Sequence, residues 1–269
     1  MKRAMVCAAA ALAAAGAVGA ELPLWELGMG AGMLHLPHYR GSDQSHTWVL
    51  PVPYVVYRGE IFKADRDGAR AVLYEAPRLH LDLSVSASAP TRSRDNHARR
   101  GMDDLPPSFE IGPNLNYTLA RDRDWKLELR APLRAAVTLQ REPRSIGWIA
   151  TPNLNLDLRT DTGWNIGLQA GAVYADRRYN AHFYEVSPEQ ALPDRPAYRA
   201  EAGYGGLQLI AATSRRVGRL WTGAFVKFDS LQGARFADSP LVRQRQHWSA
   251  GIALSWVFAA SSRSVSVPE

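Results

Sequence analysis

Apolar and polar residues alternate along much of this chain. In residues 125–140, Trp125, Leu127, Leu129, Leu133, Val137 and Leu139 alternate with Lys126, Glu128, Arg130, Arg134, Thr138 and Gln140. Residues 108–119 set Phe109, Ile111, Leu115, Tyr117 and Leu119 against Glu110, Gly112, Asn114, Asn116 and Thr118. The same pattern runs through 78–88 (Leu79, Leu81, Leu83 and Val85 against Arg78, His80, Asp82 and Ser84) and through 146–159. A period of two is the signature of a strand with one apolar face, and a helix of period 3.6 cannot present it. The pattern predicts strands near 27–36, 48–57, 60–64, 69–74, 78–88, 108–119, 125–140, 146–159, 164–175, 198–212, 219–229 and 246–258. That is about twelve strands (10–12), and the count drops if the short pair at 60–64 and 69–74 is one strand.

Three features turn this set into a closed antiparallel transmembrane β-barrel rather than a soluble sandwich. Several strands are longer than the ~5–6 residues of an ordinary globular strand and reach the ~9–11 that a membrane crossing needs. The second face carries Arg78, Asp82, Glu110, Glu128, Arg130, Arg134, Asp157 and Arg159 in or beside long strands. A dry core does not hold so many charges, whereas a barrel lumen can. The long connections (37–47, 89–107, 176–197, 230–245) all fall on one side. The short turns and both chain ends fall on the other, as in barrels with short periplasmic turns and long outer loops.

Trp48, Trp125, Trp148, Trp164, Trp221, Trp248 and Trp256 lie near predicted strand ends, where an interfacial girdle places them. Glycines 28, 30 and 32 in the first strand imply a crowded lumen, and Pro51 and Pro53 predict a bulge in the second.

Composition changes the picture mainly at the N-terminus. Lys2 and Arg3 precede an alanine-rich apolar stretch over 5–18, and Val18-Gly19-Ala20 gives small residues before Glu21. Residues 1–20 therefore read as a cleaved signal peptide that exports the chain to the periplasm. Residues 21–258 form the barrel, and 259–269 a polar tail. Cleavage removes the single cysteine, Cys7, and leaves 249 residues of formal charge +4. No disulfide or thiolate site then exists. Beyond the signal no apolar run is long enough for a spanning helix. The mean hydropathy of −0.25 fits strands that are apolar on one face only. The basic residues are dispersed, and Arg92, Arg94, His97, Arg99 and Arg100 share a loop with Asp95, Asp103 and Asp104. That loop reads as solvated or facing lipopolysaccharide, not as a nucleic-acid surface.

The candidate chemical constellations in the sequence are weak. His80, Asp82 and Ser84 share one strand face, but residues two apart on a strand stand ~6–7 Å apart, which suits lumen lining better than a catalytic triad. His35, His38, His46 and Asp43 around the first loop match no zinc spacing. Gly203-Tyr204-Gly205-Gly206 precedes no helix and so cradles no phosphate. The expectation is a non-enzyme without cofactor or metal.

Several segments resemble one family. Tyr39-Arg40-Gly41-Ser42-Asp43, then Leu50-Pro51-Val52-Pro53-Tyr54 and Tyr57-Arg58-Gly59-Glu60, resemble the opening of the MipA/OmpV family. Tyr184-Glu185-Val186-Ser187-Pro188-Glu189-Gln190-Ala191, with Tyr198 to Gly203 after it, is similar to that family's Y-F-G-V-S-P-x-x-A segment. Ala237-Asp238-Ser239-Pro240-Leu241-Val242 resembles its S-P-I-V loop. The resemblance implies an outer-membrane barrel of a Gram-negative cell. It also implies a scaffold that joins a lytic transglycosylase to a bifunctional penicillin-binding protein, with a small-solute channel or a surface adhesin as alternatives. It carries no catalytic residues. Tyr39, Gly41, Ser42, Asp43, Asp238, Ser239 and Pro240 become the candidate interaction loops, and lipid with lipopolysaccharide the surrounding partners.

Overall fold

The computed structural model describes residues 20–59, 62–65 and 68–267. The signal-peptide expectation, but for Ala20, lies outside them. Fifteen strands follow in chain order: β1 Ala20–Pro23, β2 Trp25–Pro37, β3 Ser45–Arg58, β4 Phe62–Asp65, β5 Gly68–Glu75, β6 Leu79–Ser88, β7 Ser108–Arg121, β8 Trp125–Thr138, β9 Ser145–Ala150, β10 Asn153–Arg159, β11 Trp164–Ala175, β12 Gly203–Val217, β13 Leu220–Ser230, β14 Gln246–Ala260 and β15 Ser264–Val267. One α-helix, α1 (Arg177–Tyr184), lies between β11 and β12.

β2 to β14 form one antiparallel sheet. β9 and β10 are halves of a single traverse broken at Thr151 and Pro152, since both pair with β8 and with β11. Counted so, the sheet has twelve traverses, as the alternation predicts. The chain climbs up and down with nearest neighbours paired. β14 pairs with β2, and residues 153–158 of β10 pair with 125–130 of β8.

Among the described residues the ladder is thin in one place. β3 meets β4 only at Tyr57 and Arg58, and β5 meets β6 only over 71–75. Residues 45–56 of β3 and 84–88 of β6 are thus paired on one side alone. This explains Pro51 and Pro53. They sit opposite Ala31 and Met29 in an unshifted register, so the expected bulge is absent. A strand with one ladder tolerates residues that lack an N–H donor.

Other elements differ from the sequence expectation. The strand expected at 198–212 occupies 203–217. Arg215 and Arg216 lie at the turn end, where long polar side chains reach solvent, and Ser214 is buried on the inner face; none of them interrupts pairing. The tail at 259–269 is not all loose. β14 runs to Ala260, and β15 pairs with β1 as a two-stranded ribbon beside the turns.

The register separates two faces. Outward, Ile252, Leu254, Trp256 and Phe258 of β14 are each more than half exposed, in an apolar band shared by the neighbouring strands. Inward, Gly30 of β2 lies between Val52 and Ser255. A Cβ at Gly30 would collide with the Leu254 carbonyl oxygen and with Ser255. Glycine there lets β2 and β14 pair. Trp48 and Trp221 also face inward, opposite Leu34 and Ser255, so these two stand outside any outward girdle.

Replacing Gly30 by valine should strike the β2–β14 seam. Overpacking costs about 1–3 kcal/mol, and backbone contact places this site at the upper end. Urea titration of the refolded protein should show that loss, while Gly167→Ala, where a Cβ would meet only an Asp157 oxygen at 3.7 Å, should lose less. Equal midpoints for the two variants would refute this account of the seam.

Candidate functional site

Two structures made by the inward-pointing residues stand out: a charged wall and a cap of loops above it.

The wall is built on β6 to β10. Arg130 of β8 donates from Nε and Nη2 to Glu128 at 3.1 and 2.9 Å, and from Nη2 to Asp157 at 3.3 Å. Lys126 stands 2.9 Å from the other Glu128 oxygen. Asn155 donates to Asp157 at 2.9 Å. One layer nearer the loops, Arg134 donates to Glu110 at 3.1 Å, to Ser84 at 3.3 Å and to Thr151 at 3.2 Å. Asp82 accepts from Asn116 at 2.9 Å. These carboxylates are buried, and an unpaired buried charge is costly. Glu110, Glu128 and Asp157 each meet an arginine, while Asp82 has the Asn116 amide.

Five of the eight expected lumen residues (Glu110, Glu128, Arg130, Arg134 and Asp157) thus meet in two layers of ion pairs, and Asp82 stands beside them on β6, bonded to Asn116. Two do not. Arg78 lies in the exposed turn between β5 and β6, and Arg159 is exposed at the last position of β10. Strand parity puts both on the inner face, but both stand where the strand ends and water begins.

Two further clusters carried no sequence signal, because their members lie far apart in the chain. Glu26 of β2 is held by Arg216 of β12, by Arg58 at 3.5 Å and by the Tyr54 hydroxyl at 3.3 Å. Asp229 of β13 is held by Arg40 at 2.9 Å, Lys227 at 3.1 Å and His247 at 3.4 Å.

The cap joins four loops: 38–44, 89–107, 176–202 and 231–245. Tyr39, Leu105, Tyr184, Val186, Leu231, Phe236 and Leu241 form its buried core. The Tyr184 and Phe236 rings stack at 3.7 Å. Tyr39 donates to the Leu241 carbonyl at 2.8 Å, Tyr184 to that of Arg40 at 2.9 Å, and Ser239 to that of Tyr184 at 2.7 Å. Burial pushes both tyrosine hydroxyls above their usual value, so they remain donors. Asn96 donates to Ser42 at 3.0 Å. Arg195 reaches the Ala98 and Arg100 carbonyls at 3.0 and 2.9 Å. Arg99, expected in a solvated loop, is buried and donates to the Phe183 carbonyl at 3.1 Å.

Among the candidate interaction residues, Tyr39, Ser42 and Ser239 are therefore turned into the cap. Gly41, at φ 99°, accepts at its carbonyl from Arg243 and Gln244. Asp43 and Asp238 are exposed and Pro240 is half-buried. α1 was not foreseen, although Asp176 supplies a helix-start signal by accepting from Tyr179 N–H at 2.7 Å. It carries Tyr179 down to Glu110 at 2.9 Å and so ties the cap to the wall.

His80, Asp82 and Ser84 do not converge, since His80 bonds the Ala76 carbonyl and Ser84 the Arg134 guanidinium. His35 bonds Thr47 and His38 bonds Asn96.

The family model described as MltA-interacting protein MipA matches residues 29–258. No curated protein matches the chain. Among solved structures, the toluene transporter TbuX of Ralstonia pickettii is similar at 9% identity, covering 90% of this chain and 71% of that one, with a TM-score of 0.27. That likeness is too weak to carry an argument.

Removing one partner of a buried pair leaves a charge uncompensated, at about 3–5 kcal/mol. Glu110→Gln and Arg134→Met should each cost that order in urea titration, and the double variant clearly less than their sum. Additive losses would contradict the pairing. The cap should respond to acid through His182 of α1. Burial, with Arg99 nearby, holds its pKa at about 4 against an ordinary 6.5. The detached loops bind this proton more readily than the cap does. Stability from this residue is complete above pH 6.5 and declines as pH falls toward 4. Hydrogen-exchange protection in α1, taken relative to the intrinsic rate at each pH, should fall across that window, and His182→Leu should flatten the response. An unchanged slope in the variant would exclude His182 as its source.

Proposed function

The chain belongs to the MipA family, and from that premise we propose that it is a closed outer-membrane β-barrel acting as an interaction protein between that membrane and cell-wall enzymes. The closed, membrane-spanning form is supported by the apolar outward band and by circular strand pairing apart from the thin stretch at β3. A large apolar surface on a water-soluble monomer would be a liability, while in lipid it is required. The partners proposed are a lytic transglycosylase, in keeping with the family's description, and a bifunctional penicillin-binding protein.

The observation that carries the scaffold reading is the terminal ribbon. β1 and β15 pair beyond the ends of β2 and β14, on the side of the short turns. A two-stranded ribbon keeps free edges to which a partner strand can add. In the proposed orientation it faces the periplasm, where cell-wall enzymes work. The cap and the charged wall oppose the diffusion-channel alternative, because paired charged side chains line one half of the inner face and packed loops cover one end. The exposed Arg92, Arg94 and Arg100 suit contact with lipopolysaccharide phosphates.

The test is capture. The mature protein, refolded in lipid and immobilised, should retain a purified lytic transglycosylase and a bifunctional penicillin-binding protein from the same cell. Deleting residues 262–269 should reduce retention at least tenfold and leave heat-modifiable gel migration intact. Retention indifferent to the deletion would remove the ribbon from the mechanism. No retention, together with steady salt-dependent conductance in planar bilayers, would overturn the scaffold in favour of the channel.

A further inference from the structure

The charged wall covers only part of the inner face. On β2, β3 and β11 to β14 the inward positions are mostly apolar or glycine, and they enclose a cavity of about 360 Å³. The geometry points to a binding site there for a small uncharged amphipathic molecule, one or two rings in size with a single hydrogen-bonding head. This goes beyond the scaffold reading and does not depend on it.

The cavity exists because glycines let the rings lie flat. Trp221 folds its ring over Gly223 of its own strand, and Phe225 folds its ring over Gly251 of β14, where a Cβ would stand 2.5 Å from the ring. Neither ring crosses the lumen, so the space beside them stays open, walled further by Leu34 and Val52. An apolar cavity of ~150 Å³ already takes a benzene, and ligand sites are typically ~300–1,000 Å³.

The polar side is a pair. Asn165 of β11 and Ser214 of β12 are register partners. Both line the cavity, and among the described residues neither side chain has a hydrogen-bond partner. They offer a donor and acceptors to one neutral head group. A charged ligand is not called for, because Asp157, the one charged residue on the lining, is already engaged by Arg130 and Asn155. The cavity wall at Leu50 and Val52 also belongs to the stretch of β3 that lacks a second ladder, so the site adjoins the apolar outward face there.

Gly167 makes the site testable. It lines the cavity, and a Cβ there meets only an Asp157 oxygen, at 3.7 Å. A larger side chain can enter the void without displacing the wall. The mature protein would be labelled with 15N-tryptophan, refolded into phospholipid nanodiscs and titrated with 2-naphthol, observing indole N–H resonances. Folding, read by gel migration, separately tests the membrane reading. The expected result is a saturable shift of Trp221 with Trp125 and Trp256 unmoved, weakened at least tenfold in Gly167→Leu. Ala212→Leu serves as a second filling variant should the first fail to fold. Asn165→Ala/Ser214→Ala should weaken 2-naphthol several-fold and leave naphthalene unaffected. A linear, unsaturable drift of all tryptophans would mean partition into lipid and would overturn the site. So would undiminished binding in the filled variants.

Discussion

An apolar outward face leaves the polar groups of this chain a single destination. Backbone N–H and C=O groups must pair along the sheet, and every charged side chain within the strands must find its partner on the inner side. The inner-face ion clusters follow from that requirement. Glu128, Glu110, Glu26 and Asp229 are buried, and each is met by at least one arginine or lysine. Most of these pairs lie within one strand or between ladder neighbours, as Arg130 of β8 with Asp157 of β10, but Arg216 of β12 reaches Glu26 of β2 past two intervening strands. These inner-face contacts thereby tie strands of the sheet to one another.

The constraint also explains the loops. Where β3 and β6 lack facing partners, loop 38–44 and loop 89–107 meet above them. Thr91 donates to the His38 carbonyl, Gln44 exchanges contacts with Asp95 and His97, and Asn96 bonds both Ser42 and His38. These bonds join the two loops to each other beyond the strand ends. An unpaired edge is a template for aggregation, and covering its end with packed loops is one way to manage it.

Much of this was legible in the sequence, and the limits are physical. Alternation in 125–140 specifies both the strand and its inward face, because a slip of one residue would send Glu128 and Arg130 into the apolar band. Parity fails at strand ends, where inward no longer means buried, and so Arg78 and Arg159 escape the network. Nearness to a strand end, by contrast, does not separate an outward tryptophan from an inward one, as Trp48 and Trp221 show. Residues 198–202 sit beside β12 in sequence, but a bridge between Val186 and Tyr198 holds their start within the loop. The clusters at Glu26 and Asp229 join residues nearly two hundred positions apart, and no local pattern reports such meetings. The resemblance to a family was readable from loop residues, yet not what those residues do.

Tyr39, Gly41, Ser42 and Ser239 carry that resemblance, and the fold spends them on itself. Tyr39 and Ser239 are bonded to loop carbonyls, Ser42 to Asn96, and Gly41 to the backbone of the last loop. Motifs in outer loops invite a reading as partner-recognition sequences, because loops ordinarily carry function on a rigid scaffold. Here the loops are part of the scaffold, with a stacked tyrosine–phenylalanine pair at their centre. Residues that specify the cap are then shared for packing reasons, and they do not identify a ligand on that side. If the chain meets its partners through a fixed surface, the opposite end is the better place to look. There the termini pair as a ribbon beside the Glu26 cluster, and Arg58 donates both to Glu26 and to the Pro23 carbonyl, so one side chain fixes the ribbon to the sheet.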